Sequence, residues 1–259
     1  MNSEELPSIY GGSETTLLAM LFTQIKRMTS PCNTDDCTGR VVLKNGLKFF
    51  IKYFILSFFI VLIVLVVCSI SGLDIKNVMS SQEFKNGVHN NPISSYIRII
   101  LITPLIEEII FRLWQSFKKL HIGISTFVIS YVILSLFILP HTHNGYIGSI
   151  QSVYFEHVFV KTAISTLMAS SIFFINQNKL SSFKDKYGHV TILISVFLFA
   201  LGHLTNVRCE WYIYPFIIIM CMPQLVLGTT ATYFRLRIGF FAGVLLHCLN
   251  NLITSFNLF

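Results

Sequence analysis

The segment FFIKYFILSFFIVLIVLVVCSIS, residues 49–71, decides the class of fold, because nearly every side chain in it is apolar. A helix rises about 1.5 Å per residue, so roughly 20 apolar residues cross the ~30 Å hydrocarbon core of a bilayer. Comparable runs follow at roughly 94–116, 122–139, 154–176, 188–206, 212–234 and 237–258. Charged residues make up 12% of the 259 residues against 53% hydrophobic, and mean hydropathy is +0.67. A soluble domain of this length needs far more polar surface. The sequence therefore predicts an all-α, polytopic transmembrane helix bundle of about seven spans. No repeat, low-complexity tract or long linker suggests another domain.

Loop charges predict the orientation. Lys26, Arg27, Arg40, Lys44, Lys48, Lys118, Lys119, Lys179, Lys184, Lys186, Arg235 and Arg237 fall on the N-terminal side of the membrane. Only Lys76, Lys85 and Arg208 fall on the other. The positive-inside rule then puts the N-terminus in the cytoplasm and the C-terminus outside, in a cell (inner) membrane. The net charge of +7 is no nucleic-acid signal, because the basic residues sit in short loops without a binding motif. The opening MNSEELPSIYGGSETT has no basic n-region, so no cleaved signal peptide is expected. Residues 1–45 read as a cytoplasmic N-terminal segment, with TTLLAMLFTQIKRM (15–28) as a short amphipathic helix on the membrane surface. Residues 46–259 read as the helical membrane domain.

Against this apolar background, PLIEEIIFRLWQ (104–115) places Glu107, Glu108 and Arg112 at membrane depth. Each such charge costs about 2.5–3.5 kcal/mol even on the lenient insertion scale. Glu108 and Arg112 are spaced i,i+4 and can pair on one helix face. Glu107 points about 100° away, and a neutralising pair leaves it unexplained. Pro104 is expected to loosen the helix just before the carboxylates. FLFALGHLTN (197–206) carries His203, and GFFAGVLLHCLNNL (239–252) puts Gly239, Gly243, His247 and Asn251 on one i,i+4 ridge. Glycines of GxxxG type admit a close neighbour, towards which His247 and Asn251 then point. Counted from the inner ends of their spans, Glu107 and His247 lie about 15 Å deep and His203 about 20 Å. These groups can meet near the midplane. Asn250 falls on another face, and Gln224 follows a break expected at Pro223. Cys32, Cys37, Cys68, Cys209, Cys221 and Cys248 show no metal-ligand spacing and read as ordinary thiols. His141 and His143 lack a third ligand and read as polar loop residues.

Three short motifs resemble one family. EEIIFR (107–112) is similar to the EExxxR signature of the type II CAAX prenyl endopeptidase and bacteriocin-processing family, also called CPBP or Abi. FALGH (199–203) resembles its FxxxH motif and HCLNN (247–251) its HxxxN motif, in the same order and in separate late spans. The resemblance implies an intramembrane peptidase acting on a membrane-associated peptide or protein, with membrane lipid and that substrate as partners and no nucleic acid. It implies that Glu107 and His203 activate water, that His247 and Asn251 steady the oxyanion, and that Glu108 and Arg112 support them. Peptide maturation and bacteriocin self-immunity are roles found in such a family.

A carboxylate general base and donors aimed at a developing oxyanion are chemically suited to that reaction. The leading reading requires no cofactor. Zinc stays open as an alternative, with Glu107, His203 and His247 as ligands, although no HExxH is present. A catalytically silent peptide-binding membrane protein is one rival reading. A proton-coupled transporter is another, because buried Glu and His also mark proton pathways, but the paired repeats common in transporters are missing.

Overall fold

A bundle in a bilayer cannot use hydrophobicity to choose its central helix, since lipid is as apolar as leucine; small residues that permit close approach make the choice. The computed structural model describes residues 39–72, 92–135, 150–206 and 214–255, together with the single helical residue Thr23. In chain order the helices are α1 (Gly39–Ile70), α2 (92–111), α3 (Lys119–Ile133), α4 (Ile150–Ser171), α5 (Gln177–Gly202), α6 (Tyr214–Met220), α7 (Met222–Arg237) and α8 (Phe240–Ser255). No strand occurs among the described residues. The chain is an all-α, multi-pass membrane bundle.

Helix α7 is the centre. Its residues from Leu225 to Thr232 are all buried, and it packs against α1, α5 and α8. The run LVLGTTAT is rich in small side chains, and its threonine hydroxyls find acceptors in their own helix. Thr229 Oγ1 donates to Leu225 O and Thr230 Oγ1 to Val226 O, each at 2.8 Å. Close contacts follow from glycines. A Cβ at Gly46 of α1 would stand 2.1 Å from the Phe234 ring of α7, and one at Gly243 of α8 would stand 3.0 Å from Ala231 O. The outer helices present apolar side chains to lipid, as at Phe159, Leu167 and Met168 of α4.

All seven apolar runs contain helix, but with different bounds. Among the described residues, four helical stretches are long and apolar enough to cross a membrane: Gly39–Ile70, His157–Phe174, Gln177–Gly202 and Pro215–Arg237. Lys119–Ile133 and Phe240–Ser255 are apolar but shorter. The break expected near Pro223 falls at Cys221, between α6 and α7, with the proline in the first turn of α7 where its missing N–H is harmless. The GxxxG reading of the last span needs correction. Gly239 lies outside α8, in the turn from α7, with φ +144 and its N–H donating to Phe234 O at 3.0 Å. Only glycine takes that conformation without strain. Close approach in α8 therefore rests on Gly243. The amphipathic stretch 15–28 (Thr23 apart), His141, His143, Cys32, Cys37 and Cys209 lie outside the described residues.

Two local features of α2 place the site. Arg98–Ile102 forms a π-helical turn, in which the Thr103 N–H reaches back five residues to Arg98 O. The helix ends at Arg112, and the freed Phe111 carbonyl accepts from Gln115 Nε2 at 3.0 Å and from the Ser195 hydroxyl of α5. Phe117 then takes a left-handed backbone (φ 57) that turns the chain into α3. Ser125 of α3 donates to Ile109 O at 2.7 Å, tying α3 to α2.

Candidate active site

Helices α2, α7 and α8 deliver polar side chains, and α5 the Phe199 ring, to one buried spot. Glu108 is 0% and Arg112 1% exposed, and they form the expected i,i+4 ion pair. An unpartnered pair of charges would be costly here, so the surroundings matter. Arg112 Nε donates to Thr232 Oγ1 of α7 at 3.3 Å, and its guanidinium lies over the Phe199 ring of α5, 4.2 Å from the centroid. Room for this arrangement comes from two glycines. A Cβ at Gly228 would stand 2.9 Å from Phe199 and 3.2 Å from an Arg112 nitrogen, and one at Gly243 would stand 3.2 Å from Glu108 Oε2.

The two consecutive glutamates meet on a single imidazole. His247 of α8, 1% exposed, has Nδ1 at 3.1 Å from Glu108 Oε1 and Nε2 at 3.4 Å from Glu107 Oε2. Glu107 is 24% exposed and is the carboxylate that can reach a substrate. Glu108 pairs with Arg112, so it accepts the Nδ1–H of His247. With Nδ1–H engaged by Glu108, a second ring proton on Nε2 would face Glu107.

His203 follows the last turn of α5, and its Nδ1 lies 2.9 Å from Phe199 O. A carbonyl only accepts, so Nδ1 carries the proton and Nε2 is left with a free lone pair. No ion pair within 4.0 Å joins His203 to Glu107 among the described residues; the near neighbour of Glu107 is His247. Phe199 links the two imidazoles, in edge contact with His203 (centroids 5.0 Å apart) and with His247 (5.4 Å). Asn251, one turn beyond His247, donates from Nδ2 to Ile99 O in the π-turn of α2 at 3.0 Å. Asn250 Nδ2 in turn lies 3.4 Å from Asn251 Oδ1.

The match to known proteins agrees with this assembly. The family model described as type II CAAX prenyl endopeptidase Rce1-like matches residues 89–253, more than half of the chain and all three motifs. The chain belongs to this family. Its membership bears out the resemblance carried by EEIIFR, FALGH and HCLNN, and makes the chain a member of a family of membrane-embedded proteases. No curated protein and no solved structure matches the chain.

The sequence did not reveal the roles of Phe199, Thr232, Gly228 or the Ile99 carbonyl. Phe199 was visible as the first residue of FALGH, but nothing in its type announces contact with Arg112. Among the described residues no group of three or more His, Cys, Asp and Glu side chains is arranged to hold a metal ion. Cys68, Cys221 and Cys248 are free thiols.

Proposed function

We propose that this chain is an intramembrane endopeptidase of glutamate type, and that its substrates are membrane-associated polypeptides with a prenylated CAAX-type end. The observation that carries the reading is the meeting of Glu107, Glu108, Arg112 and His247 in one buried cluster with a single partly open carboxylate. Glu107 and the free Nε2 of His203 draw on a water between them. Its oxygen attacks the scissile carbonyl carbon while its proton passes to Glu107. The Nε2–H of His247 and the remaining N–H of Asn251 donate to the oxyanion. Collapse breaks the C–N bond, and the proton held by Glu107 leaves with the amine. Glu108, held by Arg112, engages Nδ1–H of His247, and the step then uses the doubly protonated ring, whose second N–H is on Nε2. Preorganised donors of this kind are worth about 10²–10³ each in rate.

The donor set favours catalysis without zinc. Both nitrogens of His247 already face carboxylates, and the fourth group is a carboxamide, a poor zinc ligand. The loop charges support a cytosolic N-terminus in the cell membrane, with residues 46–259 as the peptidase domain. Peptide maturation or bacteriocin self-immunity is the role proposed for it. The test uses purified protein in lipid nanodiscs and a farnesylated peptide with a CAAX end. Cleavage after the prenylated cysteine, retained after prolonged chelation, is expected. Absence of cleavage would remove the proposed substrate class, and activity lost on chelation and restored by zinc alone would replace the mechanism.

A further inference from the structure

Pro104 and Asn250 have no part in the chemistry above, yet one stands where a backbone donor to Ile99 O would be and the other lies beside the Asn251 carboxamide. At membrane depth every backbone carbonyl needs a donor from within the protein. In the π-turn the Thr103 N–H serves Arg98 O, so the next donor in that register, residue 104, would serve Ile99 O. Proline has no N–H to give. Ile99 O instead receives Asn251 Nδ2, at 3.0 Å. The other end of the same carboxamide faces Asn250 Nδ2, 3.4 Å from Asn251 Oδ1, which fixes which way the amide is turned. A carboxamide has two N–H donors, so one remains for an oxyanion after Ile99 is satisfied.

We infer that Pro104, the π-turn and Asn250 form a positioning device that aims the free N–H of Asn251 into the active site. This rests on the oxyanion role proposed for Asn251. Because Ile99 and Glu107 belong to the same helix, α2 sets the base and the oxyanion donor relative to each other. A proline that only bends α2 for packing would have no such dependence on Asn251.

A double-mutant cycle separates the two, read with the farnesylated CAAX-ended peptide in nanodiscs. Pro104→Ala restores an N–H that competes for Ile99 O and sets the carboxamide loose. The expected result is a fall in kcat of about 10–10²-fold with KM nearly unchanged, as for a small misplacement of a catalytic group. Introduced into Asn251→Ala, the same change should lower kcat no further. Asn250→Ala should behave alike with a smaller fall, and it decides the matter if Pro104→Ala does not fold. Unchanged kcat in Pro104→Ala, or an equal fall with and without Asn251, would overturn the inference for Pro104; the same outcomes for Asn250→Ala would overturn it for Asn250. A separate outcome, full kcat in Asn251→Ala alone, would instead remove the oxyanion role on which the inference depends.

Discussion

Replacing Arg112 by methionine tests whether the buried ion pair is held together or merely tolerated. The side chain is 1% exposed, so its loss cannot be compensated by water from outside. Glu108, at 0% exposure, would keep only His247 Nδ1 as a donor, with Oε2 still without a partner among the described residues. Removing one member of a buried pair costs about 3–5 kcal/mol. Loss of the guanidinium over Phe199 adds up to about 2 kcal/mol for a desolvated cation–π contact. Arg112→Met should therefore lose roughly 3–7 kcal/mol, more than most single substitutions cost. Glu108→Gln combined with Arg112→Met removes both charges and leaves an acceptor for His247, so most of that loss should return. The assay is equilibrium unfolding in mixed micelles for the parent, both single variants and the double variant. A single-variant loss under about 1 kcal/mol, or a double variant as unstable as the two singles added, would refute the reasoning.

Other expectations concern packing. Gly228→Ala pushes a methyl group to 2.9 Å from Phe199, so it should cost about 1–3 kcal/mol and lower activity by shifting Arg112, read as midpoint and kcat together. Phe199→Leu removes the ring that both imidazoles and Arg112 touch; kcat should fall while the helical circular dichroism stays unchanged, and an unaltered kcat would deny the ring its role. Lys161 is fully buried on α4 with no hydrogen-bond partner for Nζ among the described residues, so Lys161→Met should raise the unfolding midpoint. A lowered midpoint would mean that the ammonium is paired.

Much of the site could be read from spacing, because i,i+4 geometry is local. Glu108 with Arg112, and His247 with Asn251, were each placed on a common face by four-residue steps alone. What the sequence concealed was long-range or irregular. Consecutive glutamates point about 100° apart on a regular helix, and nothing local says that one imidazole can lie within reach of both. Gly239 looked helical because its neighbours are apolar and a glycine four residues on completes a familiar motif; its φ of +144 comes from the turn out of α7. Pro104 announced a disturbance in α2 but not its form. The Ile99 carbonyl of the π-turn meets an asparagine 152 residues away. Thr232 and Gly228 sit in a run of small residues whose partners are set by how α7 packs.

The role proposed for Glu107, as the base of a peptidase, is probed by Glu107→Gln in nanodiscs, with single-turnover cleavage of the farnesylated CAAX-ended peptide followed by mass spectrometry. Glutamine keeps the size and polarity of the side chain but cannot take a proton from water. The rate should fall at least about 10²-fold while the unfolding midpoint and peptide affinity stay near those of the parent. Cleavage at the parent's rate and bond by Glu107→Gln would contradict it.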